Sequence, residues 1–197
     1  MKNNNKVNNK MSWVVMEPQS NVAIFTFGRF NPPTIGHQKM LQKILGVASE
    51  ERGDPYIFVS HTQDKKKNPL SYDQKIDYMK QMFPEMEKFK LPETEVRTPF
   101  VAATYLQEHG YNKLIMVVGS DRVEGFTKML GGLKESFEEI RVISAGDRDP
   151  DAEGLEGMSA SKMRLSAKSG DLSEFQKGLP PTFDGKEMME VVKSQLK

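Results

Sequence analysis

The chain has 197 residues, is 37% hydrophobic, carries a formal net charge of +1 and contains no cysteine. That length holds one compact domain or two small ones with a real core, and the near-neutral charge excludes a global field for nucleic acid or a membrane surface. The missing thiols exclude cysteine catalysis, disulfides and cysteine-ligated zinc, and the apolar runs fall far short of the roughly 20 residues of a membrane span.

In chain order, residues 1–20 are rich in Asn and Lys and read as a disordered arm ahead of a domain over 21–197. The arm lacks the apolar stretch of a signal peptide, so a cytoplasmic protein is expected. VAIFTF (22–27), ending at Gly28, is a buried-strand candidate. A helix follows from about Thr34, with His37, Leu41, Ile44 and Ala48 on one face. YIFVS (56–60) is a second strand, and HTQDKKKNP (61–69) a polar loop. Ser71 can cap a helix with the inner stripe Tyr72, Ile76, Met79 and Phe83, stopped by Pro84. After a weak strand, Pro99 opens a helix that turns Ala102, Tyr105, Leu106 and His109 inward and ends at Gly110. KLIMVVG (113–119) is the strongest strand signal. A helix near 122–130, a strand near 140–144 and short helices from Ser159 complete the chain.

This alternation predicts an α/β protein: a Rossmann-like doubly wound parallel sheet in a single domain with C-terminal helices. Ligands of such sheets bind at the carboxyl ends of the strands, near the switch point. Two of those ends carry unusual segments, GRFNPPTIGH and GSDR.

In the first, Gly28 leaves the strand end open for a phosphate to approach the backbone, and Asn31-Pro32-Pro33 forces a rigid turn. Thr34 stands at the helix N-cap, with Gly36 and His37 in the first turn. Unpaired N–H groups there attract phosphate, His37 can add a directed N–H, and Arg29 can add charge. Spacing alone leaves His37 open between this role and that of a satisfied core histidine. Near the C-terminus, GMSASKMR opens a helix where Ser159, Ser161 and Arg164 can gather around a polyphosphate. By itself that segment reads first as an ordinary cap with a solvated arginine.

Together the two segments resemble the signatures of the HxGH-type nucleotidyltransferases. GRFNPPTIGH matches at both glycines, Phe30, Pro32, Thr34 and His37, and SASKMR is similar to the second signature, ISSTxxR, through Arg164. Thr34 stands where many members have a first His, as in the nicotinamide-mononucleotide adenylyltransferases, which the chain resembles most. The resemblance implies transfer of a nucleoside monophosphate, AMP from ATP, to a phosphate-bearing acceptor such as nicotinamide or nicotinate mononucleotide, with release of pyrophosphate. Mg2+ is the implied cofactor, carried by the triphosphate, with no metal ligands assigned to the chain. His37, Arg164 and Thr34 carry the implied catalytic roles. Gly28, Arg29, Phe30, Gly36, Gly119, Asp121, Ser159 and Ser161 carry the nucleotide-binding ones. From the residues alone, Asp121 is equally a helix cap.

EGMSAS (156–161) also resembles EGISTS of cytidylyl members, so a cytidylyltransferase acting on a glycerol or sugar phosphate stays open. So does a catalytically silent nucleotide-binding or structural protein, because Thr34 stands in place of the first His and Ala160 replaces a serine of the signature. ATP and a small phosphorylated acceptor are the expected partners, with neither nucleic acid nor membrane, and a homo-oligomer remains open. Lys65, Lys66 and Lys67 read as a solvated loop or as one that closes on phosphates. Lys75 stands where the family often has a basic residue.

Overall fold

The computed structural model describes residues 20–146 and 158–196, so the arm expected over 1–20 lies, apart from Ser20, outside the described residues. The apolar runs form β1 (Val22–Gly28), β2 (Asp54–Val59), β3 (Lys113–Val118) and β4 (Glu139–Ser144). They make one sheet in the order β2-β1-β3-β4. Every pairing is parallel, with Phe25 opposite both Tyr56 and Met116. The helices are α1 (Ile35–Glu51), α2 (Tyr72–Met82), α3 (Pro99–Glu108), α4 (Val123–Leu130), α5 (Ala160–Ser169), α6 (Leu172–Gln176) and α7 (Lys186–Gln195).

Successive strand side chains point to opposite faces, and here both faces are covered. Ile24, Ile57, Val59, Ile115 and Val117 join a core with α1, α2 and α5–α7, whereas Phe25, Phe58, Leu114 and Met116 join one with α3 and α4. This is the doubly wound α/β arrangement predicted from the alternation of strands and helices. The order reverses between β1 and β3, which makes their carboxyl ends the switch point.

The weak strand expected before Pro99 shrinks to one parallel bridge, Tyr56 to Lys90. Lys90 accepts from Ile57 N at 3.2 Å and donates to Pro55 O at 2.9 Å. The next residue that would face β2 is Pro92, which has no N–H to give, so the ladder stops. With that bridge counted, the order becomes that of the first five strands of a Rossmann sheet.

His109 corrects one expectation. It caps the C-terminus of α3, is exposed, and stacks on the Tyr105 ring with centroids 4.0 Å apart. The helix ends before the inward stripe reaches it, and Ala103 is buried beside Ala102 and Leu106 instead.

At the opposite end of the sheet from the switch point, the Tyr111 hydroxyl donates to Asp54 at 2.6 Å and lies 3.3 Å from the Tyr56 hydroxyl. Lys90 pairs with the same carboxylate at 3.1 Å. Burial first, then the hydrogen bonds to Asp54 and Tyr56, push the Tyr111 hydroxyl well above the usual phenol range. Its contribution to stability is therefore present below about pH 10 and is lost as pH rises beyond it. Tyr111→Phe is expected to lower unfolding free energy by about 1–3 kcal/mol at neutral pH and to lessen the alkaline loss. Urea titrations at neutral and alkaline pH measure both.

Candidate active site at the sheet switch point

β1 ends at Gly28, and the chain then turns sharply. Phe30 takes a positive φ of 46° and buries its ring at 1% exposure. A Cβ on Gly28 would lie 2.7 Å from that ring. The glycine expected to keep the strand end open for phosphate thus has a packing reason as well. Phe30 faces the core and lies under the His37 imidazole, ring centroids 4.7 Å apart. Phe30, one of the residues read as nucleotide-binding, is thus buried beneath the His37 ring.

The buried Asn31 carboxamide closes on the backbone of Leu70. It donates to Leu70 O at 3.0 Å and accepts from Leu70 N at 2.9 Å. The Asn31–Pro32 peptide is cis, Pro33 follows, and Thr34 caps α1. Thr34 is 4% exposed. Its backbone N–H donates to His37 Nδ1 at 2.9 Å, and its hydroxyl lies 3.1 Å from the same atom. A backbone N–H can only donate, so Nδ1 is the acceptor and the neutral ring carries its hydrogen on Nε2. His37 is half-buried and oriented by the cap, not sealed in the core. Ile35 N donates to Gly178 O, and His37 N to Thr34 O, each at 2.8 Å. Gly36, exposed in the same turn, keeps its amide without an acceptor among the described residues.

The second segment meets the first directly. Ser159 caps α5 by accepting from Lys162 N at 3.0 Å. Arg164 donates through Nη1 to Asn31 O at 2.7 Å and through Nη2 to Ser161 Oγ at 2.9 Å. Burial first, then the like charge of Arg29, lower the Arg164 pKa, and Asp64 opposes them. Neither arginine has an ion-pairing carboxylate among the described residues. The half-buried Arg164 guanidinium thus feels a second positive charge with no carboxylate paired to it among the described residues.

The Lys65–Lys67 segment is a pinned turn. Asp64 accepts from Lys66 N at 2.8 Å, Lys67 N at 2.7 Å and the Asn68 side chain, leaving the three lysine side chains exposed. Those bonds hold the Asp64 carboxyl well below its usual range.

Gly119 and Asp121 follow β3, beside β1 in the sheet. Asp121 does not cap α4, whose cap position is Arg122. It is exposed, 3.4 Å from Arg122 Nε, and its carboxylate would meet a Cβ on Gly119 at 2.8 Å. Sequence reasoning missed the roles of Asn31, Asp64 and Gly178, because each acts through a partner distant in sequence or through backbone atoms. Lys75 was noticed, but not its burial: at 0% exposure it donates to the carbonyl of Ser60, whose N–H bonds Gly28 O at 2.8 Å. The Ser60 hydroxyl is buried without a partner among the described residues.

Two measurements follow from this scaffold. Asn31→Ala strands two buried backbone groups of Leu70 and is expected to cost about 2–4 kcal/mol in chemical denaturation. Desolvation lowers the Lys75 pKa to about 8 from 10.5. Between those values the folded chain has shed a proton that the unfolded chain keeps, so stability rises with pH there. In Lys75→Met that rise is expected to vanish from denaturation midpoints taken across the window.

The cytidylyltransferase-like family model matches residues 25–166, a span that contains both segments. Among solved structures, the chain is similar to the Plasmodium falciparum nicotinic acid mononucleotide adenylyltransferase complexed with NaAD. Identity is 13% over 88% of this chain and 93% of that one, with a TM-score of 0.55, a likeness of fold. It is also similar to a macrolide-efflux protein from Streptococcus pneumoniae, 16% identical over 79% of this chain and 54% of that one, TM-score 0.48. No curated protein matches the chain. Among the described residues no helix is long and apolar enough to cross a membrane. With its two signature segments joined at the switch point of a parallel sheet, the chain belongs to the cytidylyltransferase-like family of the HxGH nucleotidyltransferase superfamily.

Proposed function

We propose that the protein transfers AMP from ATP to the phosphate of a small acceptor and releases pyrophosphate. The observation that carries this reading is Arg164, half-buried, bonded to both signature segments and facing the like charge of Arg29. A polyanion bound between them relieves the repulsion. The acceptor phosphate brings its own nucleophilic oxygen, so no strong base or covalent intermediate is needed. That oxygen forms a bond to the α-phosphorus, the bond to the bridging oxygen breaks, and pyrophosphate leaves with the electron pair.

The chain's work is orientation and charge stabilisation. Thr34 holds Nδ1 of His37 as an acceptor, so Nε2–H is the ring donor to the transferred phosphoryl group. The Gly36 amide and Arg164 supply further donors, and Thr34 acts as a positioning residue. Asp121, at the neighbouring strand end, serves the ribose or base. Magnesium enters with the triphosphate, held by phosphate and water. The described residues offer no group of three His or carboxylate ligands. As acceptor we favour nicotinamide or nicotinate mononucleotide, on the Thr34 signature. The fold shared with an adenylyltransferase for nicotinic acid mononucleotide agrees with this choice.

A pyrophosphate-release screen pairing ATP or CTP with several phosphorylated acceptors tests the reading. ATP with a pyridine mononucleotide is the expected pair. Preference for CTP would favour the cytidylyl alternative carried by EGMSAS, of which Glu156 and Gly157 lie outside the described residues. Nucleotide binding without product would mean a silent binder. His37→Ala is expected to fold, because Leu41, Ile44, Val47 and Ala48 still bury the helix, and to lose about two to three decades of turnover. Arg164→Ala is expected to weaken ATP in calorimetry and leave acceptor affinity nearly unchanged. Arg164→Lys recovers only part, since an ammonium lacks the planar fork that reaches Asn31 and Ser161 together.

A further inference from the structure

The first amide of α1 does not wait for a ligand. Ile35 N–H donates to Gly178 O, far along the chain in the segment between α6 and α7. Gly178 is buried, and its segment is stiffened by bonds from Gly178 N to Phe175 O at 3.1 Å and from Leu179 N to Gln176 O at 3.0 Å. A Cβ on Gly178 would collide with Met163 Sδ and lie 2.8 Å from Cγ of both Met163 and Met158. Met163 is fully buried and directly precedes Arg164. Gly178 therefore sits between the helix that carries Arg164, which its Cα faces, and the helix that carries His37, which its carbonyl meets. Close packing of this kind transmits displacement instead of absorbing it.

We propose that Gly178 is a positioning residue of the active site. Its carbonyl consumes the Ile35 donor and steers an incoming phosphate to the Gly36 amide and the His37 ring. Its contact with Met163 keeps the start of α1 in register with α5. This rests on reading the site as a phosphate site. A side chain at 178 must displace either the methionines or the carbonyl. Glycine is required by this close approach, since its backbone φ is not positive.

Three variants of the full chain test the proposal: Gly178→Ala, Gly178→Ala combined with Met163→Ala, and Ile35→Pro. Proline suits the first helical position, and the extended Thr34 before it, φ −136° and ψ 164°, is compatible with a following proline. Ile35→Pro thus removes the donor while keeping the helix, and it stands in if Gly178→Ala does not fold. Amide exchange at Ile35, compared with Ile115 in β3, is read beside pyrophosphate release per folded molecule.

In Gly178→Ala, Ile35 is expected to exchange at least about tenfold faster, and turnover to fall on the order of a hundredfold, as for misplaced reacting groups. Ile35→Pro, whose ring pushes the Gly178 carbonyl away as well as removing the donor, is expected to lose turnover similarly and to melt somewhat lower. Met163→Ala removes two of the three atoms that the new methyl meets. The double variant is expected to melt lower yet regain Ile35 protection and most of the turnover, a rescue that a purely structural role would not produce. Unchanged Ile35 protection in folded Gly178→Ala overturns the proposal, as does full turnover in folded Ile35→Pro. If the parent protein binds ATP without turnover, the catalytic reading fails separately, and the same comparison is made on ATP affinity.

Discussion

Three stretches of chain meet at Asn31, and the site depends on that meeting. Its carboxamide grips the backbone of Leu70 at the entrance to α2, and its carbonyl receives Arg164 from α5. Without the first pair, the turn between β1 and α1 loses its tie to the loop that carries Asp64 and the lysines. Without the second, Arg164 keeps only Ser161. Buried hydrogen bonds of this kind add modest net stability but are costly to leave half-made. They therefore specify one arrangement of the turn more than they strengthen the fold.

Around that hub the charges are arranged against stability. Arg164 is half-buried beside another arginine, and Lys75 is fully buried with a carbonyl as its acceptor. Several other cations sit in ion pairs: Lys90 with Asp54, Arg141 with Glu51 and Glu139, Lys113 with Glu138. On the proposed reading, the ligand supplies the negative charge that no described carboxylate gives Arg29 and Arg164. His37 accepts on Nδ1 from the Thr34 amide, so its neutral ring carries the hydrogen on Nε2.

The C-terminal helices complete this arrangement from one side of the sheet. Met163, Phe175, Leu179 and Met188 share a core with β1 and α1, so the tail is part of the same packed body. Gly178 reaches the first turn of α1 from within that packing. The first signature segment is tied to the C-terminal region twice, through Asn31 to Arg164 and through Ile35 to Gly178.

The sequence by itself determined the α/β class, the strand ends and the caps at Thr34, Ser71 and Ser159, because these follow from local periodicity and local hydrogen bonding. It identified His37, Arg164 and Asp121 as candidates but left each beside an ordinary structural role. Tertiary structure gave each its surroundings. It showed Asp121 off the cap, His109 outside the core, Phe30 beneath the site and the weak strand reduced to a bridge by Pro92. It alone brought Arg29 toward Arg164, closed Asn31 on Leu70 and set Gly178 against Ile35. Such contacts join backbone atoms or side chains that lie far apart in the chain, and residue spacing carries no record of which of them fold together.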